Sequence, residues 1–252
     1  KDVDGFNLGD RVAYVGLPIG AYSEQRNYPA NGLVKIPESI PNELAAASML
    51  KGLTAWYLAN KSYPIKIGDD VLIYAAAGGV GLFLCQWAEH LGARVIGVVS
   101  TSEKAELAQL NGCMEIIYAD DKQLVKKTRE LTNGKGVAAV YDSVGKDTFY
   151  RSLDCLQPHG VMISYGNATG AVEPFPVLEL ASRGSLFVTR PVLSDFIKER
   201  QALVDAADEL FTLISKKIIR VHLNTIMPLA DVAEAHVNLE SRATTGSTIL
   251  KP

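Results

Sequence analysis

The stretch YAAAGGVGLF, residues 74–83, decides the fold of this chain of 252 residues. Three alanines and three glycines lie between an apolar run that ends at Tyr74 and a second apolar run with helical periodicity. The order of a strand, a turn of small residues and an amphipathic helix is typical of a dinucleotide site. The backbone N–H groups of such a turn can approach a pyrophosphate closely. Gly78, Gly79 and Gly81 then form the turn, with Ala76 in the place of the first glycine of the usual pattern. A tight turn without a ligand is the alternative, which the strand–helix units downstream disfavour.

Downstream of this turn, short β-rich runs alternate with helical patterns that end at glycines. Strands are predicted at VLIYA, RVIGVVS, EIIY, AAVYD, VMISYG and SLFVTR. Strands that are separated by single helices cannot form hairpins, so the pattern predicts a parallel sheet with helices on both faces. The predicted fold class is therefore α/β, with a doubly wound parallel sheet of the Rossmann type over residues 53–190.

The two ends of the chain indicate a second domain. The segments GDRVAYV, AYSEQRNYP, IRVHL and STILK are typical of strands, and a long helix is predicted over residues 196–214. We expect residues 1–52 and 191–252 to form one partial β domain around the nucleotide-binding domain. The chain opens at Lys1 and runs directly into a turn and a strand, which favours a further segment upstream, including any targeting signal.

Composition excludes several classes of function. The 25 basic and 28 acidic residues give a net charge of −3 without a long block of either sign, so we expect no nucleic-acid partner. No apolar segment approaches the roughly 18 residues that span a bilayer, so we expect a soluble protein without a membrane partner. A cytoplasmic location is also expected. Cys85, Cys113 and Cys155 fit neither a disulfide framework nor a metal knuckle, and we expect three free thiols, mostly buried.

The end of the second strand of the sheet, VVSTSEKAE, should select the cofactor. An acid at this place would bind a ribose 2′-hydroxyl and repel a 2′-phosphate, but Ser100 and Thr101 stand here instead. Lys104 follows in the first turn of the next helix and could pair with a phosphate, which favours NADPH. Glu103 argues against this, unless its side chain points away on the helix. The alternative makes Ser102 the helix N-cap and Lys104 a solvated lysine.

Residue patterns typical of other catalytic or metal sites carry less weight in this sequence. Tyr57 and Lys61 have the YxxxK spacing of short-chain dehydrogenases, but in those enzymes the glycine loop precedes the pair, so we interpret the spacing as coincidence. The four histidines show no metal-ligand spacing, and no serine elbow of the GxSxG type is present. No metal site and no hydrolase chemistry are expected.

Several longer segments carry a specific resemblance. They are AAASMLKGLTAWYL, AAAGGVGLFLCQWA, VYDSVGKDTFYRSLDCL and ESRATTGS. Over its whole length the chain resembles the zinc-independent medium-chain quinone oxidoreductases, the zeta-crystallin-like branch. The resemblance implies an oxidoreductase that transfers hydride from NADPH to a quinone, and a homodimer paired through the edge of the sixth strand. It also implies an N-terminal segment, absent here, that would complete a GroES-like catalytic domain and help to line a quinone cleft between the domains.

The resemblance also implies roles for single residues, all of them in cofactor binding. The glycine loop contributes Ala77, Gly78, Gly79, Val80 and Gly81; the 2′-phosphate group is Ser100, Thr101, Lys104 and Arg242; the nicotinamide region is Gly166, Asn167, Val188 and Arg190. Two cations around one dianion would explain a preference for NADPH. Without the resemblance, Arg242 reads as a surface arginine of a helix. No catalytic side chain is assigned, and solvent would supply the protons.

Two departures from the family pattern matter. The family often has a tyrosine near the adenine ribose, but Tyr118 lies one place too early and is not carried over. Metal-dependent relatives have a cysteine ligand near residues 50–51, where this chain has SMLKGLT. Zinc is therefore unexpected, and an electron-poor quinone does not need a Lewis acid to accept hydride.

Two other functions stay open on the sequence. The first keeps NADPH and reduces an activated C=C bond in an enone or enoyl thioester. The second is a nucleotide-binding fragment without turnover, which the abrupt start of the chain would explain.

Overall fold

The computed structural model describes residues 4–241 and 244–252. Two compact units are present: Lys1–Thr54 with Leu193–Pro252, and Ala55–Val192. The strands are β1 (Val12–Ala13), β2 (Val34–Lys35), β3 (Asp70–Tyr74), β4 (Arg94–Val99), β5 (Cys113–Tyr118), β6 (Val137–Asp142), β7 (Leu156–Ser164), β8 (Phe187–Thr189), β9 (Leu223–Pro228) and β10 (Ser247–Lys251). The helices are α1 (Asn42–Tyr57), α2 (Gly79–His90), α3 (Ser102–Gln109), α4 (Leu124–Leu131), α5 (Phe149–Cys155), α6 (Leu178–Ser182), α7 (Leu193–Phe196), α8 (Arg200–Ser215) and α9 (Val232–Glu240), with a π-helical turn at Leu58–Ser62 and 3₁₀ turns at Ala30–Gly32 and Leu229–Asp231.

The unit Ala55–Val192 is built on one parallel sheet of six strands. Its strand order is β5-β4-β3-β6-β7-β8, and every neighbouring pair is parallel. The chain enters at the centre and winds outward first to one side and then to the other, which leaves a switch point between β3 and β6. The predicted α/β fold class with a Rossmann-type sheet is confirmed.

Burial on both faces explains why the central strands are apolar throughout. All six residues of β6 are buried, and so are the last four of β3. The side chains of Leu72, Ile96, Val140 and Met162 are fully enclosed between the sheet and its helices. Parallel strands covered on both faces lack the alternation of half-buried strands, so their continuous apolar runs are the expected signature.

The second unit contains two short sheets and a long helix. Strands β1 and β2 pair antiparallel, while β9 and β10 pair parallel. Helix α1 contacts α8 closely at Gly52, where an added Cβ would lie 2.6 Å from a methyl group of Leu210. Whether this unit is part of a GroES-like catalytic domain stays a prediction.

Several expectations for this unit are wrong. The long helix begins at Arg200, not near residue 196, because the separate helix α7 ends there. The segment AYSEQRNYP contains no strand. Side chains hold it instead: the rings of Tyr14 and Tyr28 stack 4.2 Å apart, and the Arg26 guanidinium lies 4.9 Å and 5.0 Å from their centroids. IRVHL is mostly loop as well, since β9 begins only at Leu223.

Within residues 4–241 and 244–252, no helix combines the length and apolarity that crossing a membrane requires.

Candidate cofactor site

The glycine turn places an uncapped helix end at the carboxyl end of β3. Ala75 adopts a left-handed backbone conformation with φ = 51°, and the N–H of Gly78 closes the turn on the Ala75 carbonyl at 2.8 Å. Gly78 is the N-cap of α2 and offers no side-chain hydrogen bond to the helix. The first N–H groups of α2, including those of Gly79 and Val80, therefore point outward at the positive end of the helix. Such an end binds anions.

Gly81 sets how closely α2 approaches the strand. A Cβ at this position would lie 2.2 Å from the Ala75 carbonyl oxygen and 2.7 Å from that of Ala76. Only a glycine fits, which is the packing role of the last glycine in a dinucleotide turn. Ala76 and Ala77 are both buried, and the left-handed residue is Ala75, so an alanine is tolerated where the usual pattern has its first glycine.

At the end of β4, two hydroxyls and an ammonium group are brought together. The Thr101 hydroxyl caps α3 by accepting from the N–H of Lys104 at 3.3 Å. The Lys104 ammonium donates to the Ser100 hydroxyl at 3.4 Å. The alternative with Ser102 as the N-cap is wrong, because Ser102 is already the first residue of the helix.

Glu103 lies in the same cluster. A hydrogen bond from the Thr101 hydroxyl, and after it one from its own N–H, hold the pKa of the Glu103 carboxyl below its usual range. The carboxylate therefore faces the capping hydroxyl, and Glu103 remains an argument against a phosphate at this place. Any anion at the end of β4 must share this cluster with a negative charge.

Asp142, at the end of β6, organises a second loop that sequence reasoning did not assign. Its buried carboxylate accepts from the N–H groups of Val144 at 2.8 Å and Gly145 at 3.1 Å. The Ser152 hydroxyl donates to its other oxygen at 2.7 Å. The signal in VYDSVG was an aspartate at a strand end followed by a glycine, which is typical of an Asx turn.

The segment after β7 rests on this loop. The N–H of Tyr165 donates to the Asp142 carbonyl at 2.8 Å. Gly166 packs so tightly that an added Cβ would lie 2.5 Å from the Ser143 carbonyl oxygen. Asn167 follows and is exposed. The contact between the two loops thus requires a glycine at position 166. The exposed residue next to it, Asn167, carries a side-chain amide.

The remaining predicted residues lie on or after β8. Val188 pairs with Met162 of β7 and packs, partly buried, against the core of the sheet. Arg190 follows the strand, and its positive charge acts on Tyr57. Burial raises the pKa of Tyr57 to about 12, and the Arg190 charge opposes that rise. Arg242 lies outside the described residues.

Lys61 of the YxxxK spacing has an aromatic neighbour: its ammonium lies over the ring of Trp56, 5.4 Å from the centroid. The interpretation of the spacing as coincidence stays a prediction.

The described residues near the place where metal-dependent relatives have a cysteine ligand do not suit zinc. Near residues 50–51 the Lys51 ammonium donates to the Gly246 carbonyl and the Ser247 hydroxyl, both at 2.9 Å, and an ammonium is no zinc ligand. In the described part of the chain, no group of three or more His, Cys, Asp or Glu side chains could hold a metal ion.

Strand order places the polar groups along one edge of the sheet. Strands β4, β3, β6 and β7 are parallel neighbours in that order, so their carboxyl ends meet at the same edge. The cluster at Ser100, the turn at Gly78 and the segment at Gly166 follow in sequence along it. These three groups in a row suit a long ligand. The helix end at Gly78 would bind an anionic middle, and the cluster at Ser100 a further anionic group at one end.

Comparison with known proteins agrees with this geometry. Residues 79–209 match the family model for zinc-binding dehydrogenases. The chain is 48% identical to the quinone oxidoreductase of Pseudomonas aeruginosa, over 100% of this chain and 78% of that protein. It is 44% identical to the 2-haloacrylate reductase of a Burkholderia species, over 99% of this chain and 76% of that protein. The crystal structure of Escherichia coli quinone oxidoreductase complexed with NADPH matches with a TM-score of 0.96 and 48% identity, covering 99% of this chain and 77% of that one.

Proposed function

This chain belongs to the quinone oxidoreductase family of medium-chain dehydrogenases, and we propose that it is an NADPH-dependent enzyme that reduces a quinone. One observation carries the proposal: an uncapped helix end at Gly78 lies next, in strand order, to the hydroxyl and ammonium groups of Ser100 and Lys104. The likeness to a quinone oxidoreductase solved with NADPH supports the same cofactor here.

Each end of the cofactor is assigned to particular groups of the chain. The N–H groups of Gly79 and Val80 would bind the pyrophosphate, because they open the positive end of α2. Lys104 would pair with the 2′-phosphate, and the Ser100 hydroxyl would donate to it. Arg242 is proposed as a second cation on the family resemblance alone.

The nicotinamide ring is assigned to the loops after β6 and β7. NADPH supplies the hydride when bound. Gly166 holds the segment after β7 against the loop after β6, and Asn167 lies exposed beside it to orient an amide. Val188 and Arg190 would complete this part of the site. Tyr57, with its raised pKa, stays protonated at neutral pH and is a poor proton donor, so we assign the protons of the hydroquinone to solvent.

A panel of acceptors tests this function. We expect NADPH to be consumed with benzoquinones and naphthoquinones, and NADH to be a poorer donor. Intact NADPH binding without turnover on any acceptor would contradict quinone reduction and favour the nucleotide-binding fragment.

The likeness to 2-haloacrylate reductase favours a second candidate, the reduction of an activated C=C bond. Such a substrate is also electron-poor at the carbon that accepts hydride, so the same cofactor geometry serves it. Including 2-haloacrylates and enones in the panel separates the two candidates: a kcat/KM for these compounds above that for quinones would assign the chain to this reaction.

We also propose a homodimer that pairs through β8. This strand is an edge of the sheet, and Phe187 is 58% exposed on it, with Val192 45% exposed just beyond. An apolar edge strand that is left uncovered invites pairing with another chain. Sedimentation at micromolar concentration should show a dimer that Phe187→Asp dissociates, whereas a wild-type monomer would contradict the proposal.

The cellular location is proposed from the thiols. All three cysteines are unbonded, which fits a reducing compartment such as the cytoplasm.

A further inference from the structure

Two of the three free cysteines lie in direct contact beneath the glycine turn. Cys85 is on α2 and Cys113 begins β5, and both are buried. Their sulfur atoms are 3.3 Å apart, with the Cys113 thiol donating to the Cys85 sulfur. The third cysteine, Cys155, has the hydroxyl of Thr128 as its neighbour at 3.7 Å.

A glycine in β4 makes room for this contact. A Cβ on Gly97 would lie 2.6 Å from the Cys113 sulfur and 3.0 Å from the Cβ of Ala76. The Cys85 thiol in turn points at the Ala76 carbonyl, 3.8 Å away. The Cys85 sulfur therefore packs against Ala76 of the glycine turn, and the Cys113 sulfur occupies the space that Gly97 leaves open.

We propose that Cys85 and Cys113 form a redox-sensitive dithiol, which hydrogen peroxide or another hydroperoxide closes to a disulfide. Cys113 is 5% exposed and Cys85 is fully enclosed, so the oxidant reaches Cys113 first. The Cys113 sulfur attacks one oxygen of hydrogen peroxide, the O–O bond breaks, and a sulfenic acid and water result. The Cys85 sulfur then displaces the sulfenic hydroxyl group, which leaves with a proton as a second water. The two thiols lose two electrons and two protons, and the peroxide gains them.

The reaction is slow because the site is closed. Burial raises the pKa of the Cys85 thiol, and the neighbouring Cys113 adds to that rise. The thiolate is the nucleophile in such steps, and burial keeps the Cys85 thiol protonated. The thiol therefore reacts only when the site opens to solvent. The disulfide accumulates under sustained oxidation and does not form in brief exposure.

Closing the disulfide disturbs the glycine turn. A sulfur–sulfur bond is about 2.05 Å long, so the two atoms must approach by roughly 1.2 Å. The approach pulls on α2 from Cys85 and removes the thiol contact to the Ala76 carbonyl. Since a misplacement of about 1 Å can cost a hundredfold in rate, we expect kcat/KM for NADPH to fall by roughly ten- to a hundredfold in the oxidised form. This last expectation rests on the proposed function, whereas the thiol chemistry does not.

The test treats the purified wild-type protein with hydrogen peroxide for hours and then unfolds it. Thiol titration should find one free thiol where the untreated protein has three. The intact mass should fall by two hydrogens, and peptide mapping should join the peptides of Cys85 and Cys113. Cys113→Ala should retain both remaining thiols under the same treatment. The matched control Cys155→Ala also removes a buried thiol but leaves the pair, so it should lose both of its remaining thiols.

Three results would overturn the inference. They are three thiols that still titrate after treatment, oxygen added to Cys113 without a sulfur–sulfur link, and a disulfide that joins two copies of the chain. If the disulfide forms but kcat/KM for NADPH is unchanged, the link to the glycine turn is wrong. If the reduced protein does not bind NADPH at all, the proposed function fails instead, and mass and thiol count still decide the dithiol.

Discussion

The Lys104 ammonium lies 3.4 Å from the Ser100 hydroxyl, so the first residue after β4 and a residue of the first turn of α3 form one polar cluster. The Thr101 cap fixes this geometry, because it holds the Lys104 N–H at the start of the helix. A cation and a hydroxyl thus lie where a Rossmann-type sheet binds the adenosine ribose.

Lys104→Ala should weaken NADPH binding by about ten- to a hundredfold, since a charged hydrogen bond contributes about 1.5–3 kcal/mol. NADH lacks the 2′-phosphate, so its affinity should barely change. Calorimetric titration of both cofactors measures this. Arg242→Ala is expected to behave in the same way.

A matched control for that experiment is Lys126→Ala, which removes an exposed lysine of α4 paired with Glu130 at 3.8 Å. Its affinity for both cofactors should equal that of the wild type. Equal losses of NADPH and NADH affinity in Lys104→Ala would show that the lysine does not read the 2′-phosphate.

Gly81→Ala should damage the turn itself. The new Cβ would lie 2.2 Å from the Ala75 carbonyl oxygen, so α2 must move away from the strand. Overpacking of this kind costs about 1–3 kcal/mol, and we expect a corresponding fall in the free energy of unfolding and a loss of NADPH binding. Gly78→Ala, whose Cβ would lie 3.0 Å from the same oxygen, should do less harm. Urea unfolding and cofactor titration compare the two; equal stability of Gly81→Ala and wild type would refute the packing role.

Asp142→Ala should lower both stability and turnover. It leaves the buried N–H of Gly145 and the N–H of Val144 without their acceptor and frees the Ser152 hydroxyl. Each buried group left unsatisfied costs about 1–3 kcal/mol, so we expect a loss of roughly 2–4 kcal/mol in urea unfolding. The loop under Gly166 loses its support, and kcat should fall more than NADPH affinity.

Asp142→Asn is the informative control for that loss. Its amide oxygen can still accept from the two N–H groups, while its NH₂ can donate to Ser152. We expect most of the stability and turnover to return. If the alanine and asparagine variants are equally damaged, the hydrogen bonds of the carboxylate are not what orders the loop.

The sheet and its glycine turn were predictable because their signals are local. Apolar runs buried on both faces, glycines at helix ends and the spacing of Gly78 and Gly81 depend on neighbouring residues alone. The cluster of Ser100 and Lys104 could be predicted for the same reason, since both residues belong to one strand-to-helix turn.

What the sequence did not reveal depends on contacts between distant residues or on side-chain direction. The alternation in AYSEQRNYP is typical of a strand, but stacking of Tyr14 on Tyr28 overrides it. The direction of Glu103 follows from one hydroxyl hydrogen bond, which periodicity does not report. Cys85 and Cys113 are 28 residues apart, and only the sheet order brings them together.

Tyr57 should make the protein less stable in alkali. Burial raises its pKa in the folded state to about 12, whereas an unfolded tyrosine titrates near about 10. The folded state therefore holds more protons between these values, so the contribution of Tyr57 is fully present below pH about 10 and is lost as the pH rises toward about 12. Urea unfolding at several pH values in this range measures the free energy of unfolding, which should decline less steeply with pH for Tyr57→Phe than for wild type. The control Tyr118→Phe changes an exposed tyrosine and should follow wild type. Arg190→Met removes the cation that opposes the shift and should steepen the decline; parallel curves for all four proteins would show that Tyr57 keeps the same pKa folded and unfolded.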